Sequence, residues 1–193
     1  MNFLAHTWLS FSDDELVGNM LADYIRNRER HLFSEGIQKG IALHRAIDTF
    51  TDSHPEVSEA KKVFQPLVRL YSGAFADVAF DYFLARSVDG STLMKHSEKV
   101  YATVHRYTDL LPENFLQMFC AMEKDNWLYN YRYDRGIEFS MKNVLNKARY
   151  LDKSIPVFQA FLANREVLQY HFDRFFPELE AQALAVHRKL VSD

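Results

Sequence analysis

A single cysteine, Cys120, excludes an internal disulfide framework and suits a reducing compartment. Glycine (6) and proline (5) are scarce among 193 residues, leaving few turn signals for a many-stranded β fold. Charge of one sign never accumulates: the formal net charge is -3 with no block of like charge. Non-specific nucleic-acid binding therefore lacks its electrostatic footprint. No run reaches the roughly 18 apolar residues that a membrane span requires. The opening Met-Asn-Phe-Leu-Ala-His has neither the basic segment nor the apolar stretch of a signal peptide. The expectation is a cytoplasmic protein with no membrane and no nucleic acid as partner.

What is present is an ordinary hydrophobic content of 48%, enough for a sizeable core in one domain over residues 1–193. The apolar periodicity is helical almost throughout. A first helix is expected over 3–9. Ser12 and Glu15 form a capping-box pattern opening a second helix that runs to Arg28. A third covers 34–51, and a fourth starts after Ser53-His54-Pro55 and is broken or kinked by Pro66. A fifth spans 70–86, ahead of a Val88-Asp89-Gly90-Ser91 turn. Further helices are expected at 92–110, 113–130, 135–149, 157–174 and 178–190, with Pro112, Pro156 and Pro177 as openers. Cys120 falls in the apolar run 115–122 and reads as a buried small hydrophobe. Tyr129, Tyr131 and Tyr133 alternate as in a strand but are too isolated to build a sheet. They line a groove, or belong to the core and an interface.

The third helix carries the first polar signal. At about 100° per residue, His44 and Asp48 fall on the stripe of Ile37 and Ile41, and Asp52 continues that line. Burying such groups without partners costs several kcal/mol. Either they form a structural hydrogen bond or a divalent cation meets them. The fifth helix is apolar nearly all round, and its only acids, Asp77 and Asp81, are spaced i,i+4 on a face with Leu70, Ala74 and Leu84. Two close carboxylates in a core resist joint ionisation, so one is protonated or a cation lies near. His6, in an apolar run, and Asp23, at the edge of an apolar face, complete a His- and Asp-rich inventory.

These segments resemble those of the acyl carrier protein phosphodiesterase family. The resemblance lies in Met1-Asn-Phe-Leu-Ala-His6, Gly18-Asn-Met-Leu-Ala-Asp23, the run from Leu43 to Pro55, and the run from Asp77 to Arg86. It implies an all-α, single-domain helical bundle with an HD-domain-like phosphohydrolase core. It also implies manganese or another divalent cation, and hydrolysis of the phosphodiester between 4'-phosphopantetheine and a serine of holo-acyl carrier protein. The HD pattern of His, then His-Asp, then Asp is met in part: Ala22 stands before Asp23 where those enzymes carry histidine, and His44 is placed to supply the nitrogen. Tyr82 stands where the family pattern has histidine, and Ser87-Val88 where it ends in tryptophan.

The expected metal ligands are thus His6, Asp23, His44, Asp48 and Asp77. Asp81 is the expected general base or ligand orienter, and Arg45 the group that steadies phosphate charge. An acidic carrier as partner calls for local basic charge, with candidates at Arg26, Arg28, Arg30, Lys39, Lys61, Lys62 and Arg69. Two other readings fit the same residues: an HD-like phosphohydrolase of a nucleotide or small phosphate ester, and a non-catalytic helical binding protein.

Overall fold

The computed structural model describes residues 1–192, and among them all regular structure is helical. The elements are α1 (Phe3–Trp8), α2 (Asp13–Leu21), α3 (Glu35–Ser53), α4 (Pro55–Val68), α5 (Ser72–Ser87), α6 (Gly90–His105), α7 (Glu113–Lys124), α8 (Trp127–Asn130), α9 (Asp134–Lys147), α10 (Val157–Ala163) and α11 (Arg165–Ser192). The apolar helix α5 is the centre, packed by α1, α4, α9 and α11. Phe75, Phe80 and Phe83 on it are fully buried, as expected of a helix without a polar face. Helix α3 packs against α2 and α11.

Glycine permits the tightest of these contacts. A Cβ on Gly18 would lie 2.1 Å from the Ile37 carbonyl oxygen, and one on Gly40 would lie 2.3 Å from that of Glu15. Neither helix tolerates a larger residue at the crossing, so α2 and α3 approach backbone to backbone. That closeness brings side chains of α2 against His44.

Several boundaries depart from the periodic reading. Helix α2 stops at Leu21 instead of Arg28 and gives way to 3₁₀ turns at Ala22–Tyr24 and Asn27–Leu32. Ser12 caps α2 through Glu15 N at 3.2 Å, but Glu15 reaches back to Phe11 N and not to Ser12. Pro66 lies within α4, which continues to Val68. The expected helix over 113–130 is interrupted at Asn126, whose φ of 41° is left-handed. Pro177 opens nothing: α11 runs through it, and the actual break comes at Asn164. Phe172, Phe175, Phe176 and Leu179 are buried on α11, and that burial outweighs the cost of one lost helical bond, about 3 kcal/mol. Cys120 is exposed; Phe115, Phe119 and Met122 take the buried face of α7. Leu70 precedes α5 and is wholly exposed, so it shares no buried face with Asp77 and Asp81.

Candidate metal centre

The close approach of α2 and α3 sets up the centre. Because α2 ends at Leu21, the carbonyls of its last turn need partners from outside the helix. His44 supplies one, with Nδ1 at 2.8 Å from the Asn19 carbonyl oxygen and 3.2 Å from Asn19 Oδ1. His6 Nδ1 lies 2.7 Å from the same Oδ1. Asn19 is fully buried, and its Nδ2 donates to the His6 carbonyl at 2.9 Å and to Ser10 Oγ at 3.1 Å, which fixes the amide orientation. A carbonyl oxygen only accepts, so both imidazoles must donate from Nδ1. Both Nε2 atoms then face away from Asn19.

They converge on Asp48. His6 Nε2 is 3.3 Å from Oδ1, and His44 Nε2 is 3.0 Å from Oδ2. Asp23 Oδ1 adds a second carboxylate 3.3 Å from His44 Nε2. The two rings stack at 4.2 Å between centroids. Ligand atoms of His6, His44 and Asp48 all lie within 4.8 Å of one another. Despite its two carboxylate neighbours, His44 Nε2 has no partner in hydrogen-bonding geometry. A buried imidazole nitrogen facing carboxylates out of line is what a divalent cation between them would satisfy. The donor set of imidazole nitrogen and carboxylate oxygen suits such an ion.

The electrostatics agree. Burial pushes the His6 imidazole below its ordinary range, so it stays neutral and able to donate a lone pair. For His44 burial acts downward too, but the Asp23 and Asp48 contacts outweigh it and hold the ring up to about 9. A cation and a proton therefore compete for its Nε2. Burial would raise Asp48, yet His44 and His6 keep it ionised well below the usual carboxylate range. Asp23 is held down chiefly by His44.

The remaining expected residues are distributed around this cluster. Asp77 is not among the three closest groups: it faces the α-amino group of Met1 at 3.4 Å, and that amine is 3.7 Å from Asp48 Oδ1. Burial disfavours the ammonium, but Asp77 and Asp48 more than compensate and raise it. Asp48 (40% exposed) and Asp77 (27%) are reachable from solvent. Asp81 is fully buried beneath α1, accepting from Leu4 N at 2.8 Å and Ala5 N at 3.2 Å. Burial pushes its carboxyl up to about 7 against the pull of those amides. It thus anchors the helix that carries His6.

Asp52 turns out to the surface and pairs with Lys61 at 2.9 Å. Arg45 Nη1 donates to Asn27 Oδ1 at 3.0 Å, tying α3 to the 3₁₀ segment after Asp23. Tyr82, on the far side of α5, donates to Asp134 at 3.0 Å. Of the basic candidates, Lys62 pairs with Glu59 and Lys39 with Glu35. Arg26, Arg28 and Arg30 are exposed and form no ion pair among the described residues. Asn19 was not singled out from sequence. Its signal was there, as a poor helix former inside an apolar helical stretch, one turn before Asp23.

An all-α protein in which two buried imidazoles and a half-exposed carboxylate converge has a donor set that could hold a divalent cation. Comparison with known proteins gives the family. The acyl carrier protein phosphodiesterase family model matches residues 1–179. A protein of that name from Enterobacter sp. (strain 638) is 31% identical over 188 residues, which is 95% of this chain and 97% of the relative. Relatives of the same name from Salmonella agona (strain SL483) and Escherichia coli O139:H28 are 30% identical with the same coverage. No solved structure matches the chain. The chain belongs to the acyl carrier protein phosphodiesterase family.

Proposed function

We propose that this protein is a metal-dependent acyl carrier protein phosphodiesterase, cleaving the bond between 4'-phosphopantetheine and the carrier serine. The products are the apo-carrier and free 4'-phosphopantetheine. The reading rests on family membership together with one observation: Asn19 orients two imidazoles so that both Nε2 atoms face Asp48. His6, His44 and Asp48 would hold the cation, manganese in this reading, with Asp23 and Asp77 as the nearest further carboxylates. When bound, such an ion lowers the pKa of a water and draws charge from a phosphoryl oxygen. We read the surrounding bundle as HD-like.

The chain's own groups do the rest. Asn19 fixes which imidazole nitrogen carries the proton. Asp81 holds α1, and with it His6, against α5, which makes it an orienter and leaves the general-base role to the solvent-reachable carboxylates of the cluster. Arg45 stands one residue from His44 and ties α3 to the 3₁₀ segment that follows Asp23. The unpaired Arg26, Arg28 and Arg30 follow Asp23 directly and offer an acidic carrier a positive landing surface beside the cluster.

The test is to incubate metal-stripped protein with holo-acyl carrier protein and added manganese, then weigh the carrier. Loss of the phosphopantetheine mass in wild type, absent in Asp48→Ala, is the expected result. An unchanged carrier with folded, metal-loaded protein overturns the substrate and leaves a small phosphate ester as the alternative.

A further inference from the structure

Outside the metal cluster, a groove of about 690 Å³ lies where α8 meets the start of α9. That is the size of sites that take small organic ligands, roughly 300–1,000 Å³. We propose that this groove binds the pantetheine arm of the carrier; the proposal rests on the phosphodiesterase reading and adds where its substrate lies.

The groove is built into the backbone. The left-handed Asn126 ends α7 and turns the chain into α8. Gly136 then lets α9 begin hard against α8, since a Cβ there would sit 2.0 Å from the Asn130 carbonyl oxygen. The wall so formed carries Trp127, Tyr133 and Phe139. Tyr133 is 48% exposed and Phe139 44%, a cost to solvation that single surface aromatics incur without comment but that two on one concavity share for a reason. Trp127 stands edge-on to Phe139 at 6.3 Å. Asn130 and Ser140 add polar groups to the lining, whose charged members are Lys124, Arg135 and Asp125.

The groove lies near the cluster. Its buried floor residue, Tyr131, accepts a hydrogen bond from Asn2 Nδ2 at 3.3 Å. Asn2 follows Met1, whose amine is 3.7 Å from Asp48 and 3.4 Å from Asp77. Those two contacts and the two residues between them place the groove's floor within roughly 15 Å of the exposed carboxylates. A phosphoryl group seated at Asp48 thus has an aromatic groove within the reach of a long, flexible arm. The arm that leaves that phosphoryl group alternates a branched apolar segment with two amides and ends in a thiol. Aromatic walls with interspersed amide and hydroxyl groups match that alternation.

D-pantetheine, the arm without its phosphate, separates this inference from the activity. It is titrated calorimetrically into wild type, Phe139→Ala and Tyr133→Ala, and the same proteins are assayed on holo-carrier. Both side chains are half-exposed, so the fold is retained, and circular dichroism checks it. Saturable binding to wild type, weakened in both variants, supports the groove. So does a KM raised about tenfold with kcat nearly unchanged, the mark of lost uniform binding. No pantetheine binding together with unaltered KM overturns the groove while leaving the phosphodiesterase reading intact. A wild type that binds pantetheine but leaves holo-carrier uncut keeps the groove and overturns the reaction instead.

Discussion

Replacing Asn19 with alanine is the most informative single perturbation, because one side chain orients both imidazoles. The loss is uneven. His44 Nδ1 retains the Asn19 main-chain oxygen at 2.8 Å, while His6 Nδ1 loses its acceptor, Asn19 Oδ1 at 2.7 Å. The His6 carbonyl keeps Ser10 Oγ at 2.8 Å, so only the His6 donor is orphaned. A buried donor left unpaired costs about 1–3 kcal/mol, and the small void adds to it. The expected destabilisation is therefore about 2–3 kcal/mol, read from urea unfolding of metal-free protein. The function-specific effect is separate. Freed of its acceptor, His6 can carry its proton on Nε2, the nitrogen that faces Asp48. Loss of such an outer contact weakens metal affinity about 10–100-fold, or about 1.4–2.8 kcal/mol. Calorimetric titration with manganese measures the affinity, and nitrogen–proton correlation spectra report the His6 and His44 tautomers. Wild-type Nε2–H tautomers at His6, or a folded variant with wild-type manganese affinity, refute the orienting role.

Asp81→Ala orphans two buried amides at the start of α1 and is expected to cost about 2–4 kcal/mol in chemical unfolding, whereas Asp81→Asn keeps one acceptor and costs less. Equal losses in the two variants would contradict the anchoring role. His96 donates to Thr7 Oγ1 at 3.1 Å, and burial, with Lys99 adding to it, holds the ring down to about 4. A histidine depressed on folding binds its proton in the unfolded chain first. Stability therefore declines as pH falls from the unfolded value toward 4, by about 2 kcal/mol at pH 5. His96→Gln should abolish that part of the pH dependence, and parallel curves for the two proteins would count against it. Arg28→Glu combined with Arg30→Glu should reduce kcat/KM for holo-carrier at least about tenfold at low salt, with the deficit shrinking as salt screens the encounter. A salt-independent deficit would point to a folding defect instead of docking.

The i,i+4 spacing of His44 with Asp48 and of Asp77 with Asp81 is local helical geometry, so the sequence alone determined which acids and histidines share a face. It also determined the all-helical class, through sustained apolar period and the scarcity of turn residues. Family resemblance was legible in the same short segments. Tertiary packing decided how those residues are used. Gly18 and Gly40 bring α2 and α3 backbone to backbone, and where α2 ends at Leu21 the Asn19 carbonyl meets His44. Periodicity extended that helix to Arg28, which hid both the released Asn19 carbonyl and the turn of Asp23 toward His44. Asp77 and Asp81, equivalent in pattern, part company because α1 lies over one and leaves the other facing Met1. A pattern along one helix reports which groups point inward together. Which backbone groups remain unpaired, and which side chain from a distant element meets them, is set only when the helices pack.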